Sequence, residues 1–121
     1  MQLAALIVAS LVALLHVYIL IVEAFRWGTA PVNRMFGVTP EQAATMKPMA
    51  ANMGLYNGFL AAGLFWGLLA HDEMVQPILT FFLGCVVIAG IVGTLTTGNR
   101  RIVLIQTVPA AVALILLWAP V

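Results

Sequence analysis

Apolar and polar positions fall along this chain in long blocks, not at a helical or strand period. Four apolar runs are parted by three polar connections. A helical membrane crossing needs about 20 predominantly apolar residues, so the pattern predicts spans at about 2–23, 49–70, 74–97 and 102–121. Only Ser10, His16 and Tyr18 interrupt the first run, and Glu23, Arg26 and the interfacial residue Trp27 mark its far end. The second connection is the triplet His71-Asp72-Glu73, which predicts a tight antiparallel hairpin. The third is Gly98-Asn99-Arg100-Arg101, where Gly98 suits a helix C-terminus.

The first connection, residues 24–48, is long enough to hold structure of its own. Thr39-Pro40-Glu41-Gln42 carries a helix start, with a capping threonine, proline at the first helical position and a glutamine able to reach back. A short helix over 40–47 is expected, ended or kinked at Pro48. The predicted architecture is all-α: one integral membrane domain over residues 1–121, a four-transmembrane-helix bundle with a short additional helix in the first loop. Pairs of small residues four apart, Gly54/Gly58 and Gly63/Gly67, predict close helix–helix approach along the second span, and Pro109 predicts a kink in the fourth.

Composition sharpens this picture. Hydrophobic residues make up 64% of the 121 and charged residues only 7%, against about 25% charged in a soluble domain. A net charge of +1 argues against nucleic acid as a partner. The single cysteine, Cys85, lies inside an apolar run and cannot form an intrachain disulfide, which excludes dithiol oxidoreductase chemistry. The first run has neither a basic leader nor a small-residue cleavage site, so it is expected to be retained. All five basic residues lie in the first and third connections: Arg26, Arg34, Lys47, Arg100 and Arg101. By the positive-inside rule those connections face the cytoplasm and both termini face outward.

Polar residues inside apolar helices are costly and mark candidate sites. His16 and Glu23 are seven apart, which returns them to one helix face within about 20° and roughly 10 Å apart along the axis. Asn52 and Tyr56, four apart, share a face near the same end as Glu23, whereas Asn57 is turned from Asn52 by about 140°. The expectation is therefore that Glu23, Asn52 and Tyr56 form a closed hydrogen-bond network or line a pocket, joined by Gln106 from the fourth span. A helix-to-helix bonding role without any ligand explains the same residues. The chain has no Gly-rich phosphate loop, no HExxH, no zinc spacing and no nucleophile elbow, so neither a metal nor a cofactor is predicted.

One resemblance spans nearly the whole chain. It is carried by His16-Val-Tyr-Ile-Leu-Ile-Val-Glu23-Ala-Phe-Arg-Trp27, Arg34-Met-Phe36-Gly37, Asn52-Met-Gly-Leu-Tyr-Asn57-Gly-Phe-Leu-Ala-Ala-Gly63, Ala89-Gly90-Ile-Val-Gly93 and Gln106-Thr-Val-Pro109-Ala. In that order these segments resemble the small bacterial integral membrane proteins of domain-of-unknown-function family 1304. Met53 departs from the family pattern, which has glutamine there. The resemblance implies a membrane location and that His16, Glu23, Asn52, Tyr56, Asn57 and Gln106 belong to one pattern; it implies no activity.

Three functions fit. The leading one is binding or transport of a small amphipathic or cationic ligand at this polar cluster, with Glu23 supplying charge. A second is a membrane-embedded enzyme on a lipid or quinone-like substrate, with His16 as acid–base and Glu23 orienting it. The third is a structural subunit that homo-oligomerises through its glycine faces, with membrane lipid as its surroundings.

Overall fold

The computed structural model describes residues 2–120 and is all-α, with five helices and one π-helical turn among the described residues. Helix α1 spans Leu3–Phe25, α2 Ala30–Phe36, α3 Pro40–Leu69, α4 Asp72–Thr97 and α5 Val108–Trp118, and the π turn Val103–Thr107 leads into α5. Two helices, α1 and α4, are long and apolar enough to cross a membrane, and Val103–Trp118 is a shorter apolar helix. Large apolar side chains point outward from several helices, among them Leu3, Phe25, Leu69, Leu95 and Ile115. Such a surface suits hydrocarbon better than water.

The chain forms two compact units. The first, Leu15–Phe59, holds the last part of α1, all of α2 and the first part of α3. Its ends are tied by local chemistry. Val38 N–H donates to the Asn33 carbonyl and Gly37 N–H to that of Arg34, closing α2 with paired bonds that need the left-handed φ of 67° at Gly37. Thr39 and Gln42 form the expected reciprocal cap at the start of α3. Thr39 N–H donates to Gln42 Oε1 (2.9 Å), and Gln42 N–H donates to Thr39 Oγ1 (3.1 Å). Trp27 Nε1 donates to the Ala43 carbonyl at 2.8 Å while its ring meets Phe36.

The second unit consists of Met1–Leu14 and Leu60–Val121. Its core sets the small side chains Ala5, Ala9, Ala110 and Ala113 beside Leu64, Leu79, Leu83 and Val86. Several polar side chains of this unit are neutral donors that end on carbonyls or hydroxyls, whereas the buried Thr94 hydroxyl has no hydrogen-bond partner among the described residues. Gln76 Nε2 donates to the Leu117 carbonyl, Trp118 Nε1 to Thr80 Oγ1 and Thr107 Oγ1 to the Val87 carbonyl. Gly63 receives the Phe82 ring, Gly67 receives Leu79, and Gly90 receives Thr107, so no side chain fits at these positions without displacing its neighbour.

Several boundaries differ from those the pattern predicts. The expected break at Pro48 is absent, and 40–47 and 49–69 are one helix. A mid-helix proline costs about 3 kcal/mol, but Ala43 and Ala50 on either side of it are buried, so packing offsets that cost and the helix continues through it. The stretch before Thr39 contains α2, hidden from the pattern by its seven-residue length. Helix α1 runs past Glu23 to Phe25, which puts Glu23 inside the helix. Asp72 and Glu73 form the first turn of α4 instead of a loop, where their charges suit the helix dipole. The fourth run begins with the π turn, with Val108 N–H bonded to the Val103 carbonyl, and helix α5 ends at Trp118.

Candidate functional site

Five of the six candidate residues lie in the Leu15–Phe59 unit, and Gln106 lies in the other unit. The site in the first unit is built by glycine. A Cβ on Gly54 would stand 3.0 Å from the Ala24 amide nitrogen and 3.2 Å from Glu23 Cβ, and one on Gly58 would stand 3.2 Å from Leu20 Cδ2. With hydrogen at these two positions α3 lies close against α1.

That approach brings Asn57 to Glu23. Asn57 Nδ2 donates to Glu23 Oε1 at 2.8 Å and to the Met53 carbonyl, one turn back on its own helix, at 2.9 Å. Both amide hydrogens are thereby used, which fixes the carboxamide against the carboxylate. Glu23 is only 3% exposed. An isolated carboxylate at such a place is expensive, and a single neutral donor offsets only part of the cost.

The other candidates are placed differently. His16 is completely buried, two turns before Glu23 on α1. Asn52 and Tyr56 are exposed, Tyr56 stacking edge-on with Phe59, and neither hydrogen-bonds a described residue. The expected network of Glu23 with Asn52 and Tyr56 is thus replaced by the pair with Asn57. The reason is rotational: Gly54 and Gly58 put the Asn57 face of α3 toward α1, and Asn52 and Tyr56 turn outward. Met53 contributes only its carbonyl, its side chain being half exposed. Gln106 stands in the π turn with its Cβ toward Gly90.

Asn33 on α2 did not stand out in the sequence. It is 7% exposed, donates weakly to the Gly28 carbonyl (3.4 Å), and its Oδ1 has no hydrogen-bond partner among the described residues. Gln76 and Thr80, which bond α4 to the end of α5, were also passed over. Both sit near the start of an apolar span, where a polar residue reads as interfacial; their spacing of four was the available signal.

Among the described residues no three His, Cys, Asp or Glu side chains gather as a metal site requires. Two shallow cavities open elsewhere. One of about 480 Å³ is lined by Gly37, Val38, Glu41, Gln42, Thr45 and Met46. The other, about 260 Å³ and apolar, lies among Trp66, Pro77, Ile78, Phe81 and Phe82.

Comparison with known proteins decides the family. The model described as "Protein of unknown function (DUF1304)" matches residues 10–118. The chain belongs to the DUF1304 family. A relative, "Uncharacterized protein YpaA" of Lactococcus lactis subsp. lactis (strain IL1403), is 28% identical over 117 residues, covering 95% of this chain and 97% of its own. No solved structure matches. The matched stretch includes every candidate residue of this DUF1304 protein and both apolar helices from Ser10 onward.

Proposed function

We propose that this DUF1304 protein is a four-crossing protein of the bacterial inner membrane that binds a small cationic or amphipathic ligand at Glu23. The observation that carries the reading is a carboxylate, 3% exposed, inside an apolar helix and held in place by Asn57. Asn57 orients the carboxylate and Glu23 supplies the charge, with the buried His16 about 10 Å away along the same helix. The distribution of Arg26, Arg34, Lys47, Arg100 and Arg101 supports placing the first and third connections in the cytoplasm and the Ala70–His71 connection outside.

The test is titration of the detergent-purified protein with tetraphenylphosphonium, followed by calorimetry. Wild type should bind, and Glu23→Gln should weaken binding at least tenfold. Equal binding by Glu23→Gln, or none by wild type, sinks the proposal.

A second reading is favoured by the self-contained Asn57–Glu23 bond and by the location of both cavities away from it. In that reading the pair fastens α3 to α1 and the chain is a structural subunit. It predicts that Glu23→Gln, which keeps an acceptor for Asn57, changes nothing but that Glu23→Leu lowers thermal stability. The enzyme reading gains no such support: His16 and Glu23 lie about 10 Å apart along one helix, so it requires a water or substrate to bridge them.

A further inference from the structure

The charged residues of the two units are distributed differently. The unit Met1–Leu14 with Leu60–Val121 carries Asp72, Glu73, Arg100 and Arg101, two of each sign. The unit Leu15–Phe59 exposes Arg26, Arg34 and Lys47 against one exposed carboxylate, Glu41, because Glu23 is buried. Among the described residues none of the three cations is within hydrogen-bond or ion-pair reach of a carboxylate. Each is flanked by exposed apolar side chains: Phe25 beside Arg26, Met35 and Phe36 after Arg34, and Met49 two residues beyond Lys47. The backbone beneath them is firmly held. Helix α2 buries Val32 and Asn33 and turns Arg34, Met35 and Phe36 outward, while Trp27 is bonded to Ala43 and stacked on Phe36.

Unpaired cations interleaved with apolar side chains, Arg26 just past the membrane-length helix α1, Arg34 on α2 and Lys47 in the second turn of α3, fit one partner chemistry. The apolar groups enter the acyl boundary, and the cations meet negative charge in the headgroup layer. We propose that this face of the Leu15–Phe59 unit is a docking surface for anionic phospholipid, with α2 lying in the interface and Arg26, Arg34 and Lys47 engaging headgroup phosphates. The inference rests on the membrane reading but not on Glu23 as a ligand site.

The experiment uses the full chain in neutral detergent micelles doped with dansyl-labelled phosphatidylglycerol or phosphatidylcholine, read by energy transfer from tryptophan. Wild type should prefer phosphatidylglycerol. Each cation removed should cost about fivefold in that preference, and the triple variant Arg26→Gln/Arg34→Gln/Lys47→Gln roughly a hundredfold. Arg100→Gln/Arg101→Gln should retain it, and rising salt should erode it in wild type. Should the triple variant not fold, Arg34→Gln alone, with its fivefold loss, decides the matter. No preference in wild type, an undiminished preference in the triple or single variant, or an equal loss in the Arg100/Arg101 variant overturns the proposal. Displacement by inorganic phosphate as effectively as by phosphatidylglycerol overturns the lipid assignment. Glu23→Gln should leave lipid preference intact, which separates this outcome from failure of the ligand site.

Discussion

Glycine brings helices together in both units, but what the approach delivers differs. In Leu15–Phe59, Gly54 admits the α1 backbone at Ala24, Gly58 admits the Leu20 side chain, and a buried carboxylate is left with one neutral donor. In the other unit, Gly63, Gly67 and Gly90 receive an aromatic ring, a leucine and a threonine, and among the described residues the interhelical polar bonds are between neutral groups. One contact surface holds a buried carboxylate; the polar bonds of the other join neutral amide, indole and hydroxyl groups. The difference teaches that a small-residue motif specifies closeness alone, and the residue beside it decides whether the closeness serves chemistry or packing.

The comparison breaks most visibly at Gly90. Gly90→Val places side-chain atoms where Thr107 and the backbone of the π turn stand, and overpacking of this kind costs about 1–3 kcal/mol. Thermal unfolding in detergent should show a clear drop, with binding at Glu23 unaffected. An unchanged midpoint would mean that α4 and the π turn are not in contact. A smaller effect sharpens the other side. A double-mutant cycle of Glu23→Leu and Asn57→Leu should return a coupling of about 0.6 kcal/mol, with roughly 1.7 as the ceiling for bonds between membrane helices. A coupling near zero would detach Asn57 from the site. The smallest expected effect is at the exposed cap. Thr39→Ala removes the acceptor for Gln42 N–H and should cost about 0.5–1 kcal/mol, seen as faster amide exchange over the first turn of α3 and no change at Asn57.

Much of this was legible from residue order. The all-α class, the cap at Thr39 and Gln42, and the helix end at Gly98 follow from local chemistry and appear as read. The family likeness also stood in the motifs. Pro48 misled because a helix-breaking residue was weighed without the packing of Ala43 and Ala50 around it. Helix α2 was missed because seven residues are too few to show a period. Glu23 and Asn57 meet although depth along the helix pointed to Asn52 and Tyr56. Depth is readable from spacing, whereas the rotation of one helix against another is set by which glycine face the neighbour occupies. Asn33 carried no signal, since a lone asparagine between turn residues reads as solvated loop.

The π turn at Val103–Thr107 holds one residue more between its bonded partners than an α-helix would. It is in effect a spare residue stored in the helix. Removing one residue there would restore the ordinary bonding ladder while Val108–Trp118 kept its length and its order of apolar and small side chains. Alignments within the family should therefore tolerate a one-residue gap in this stretch sooner than anywhere in α4, and length variation there would record gain or loss of a bulge without loss of a span.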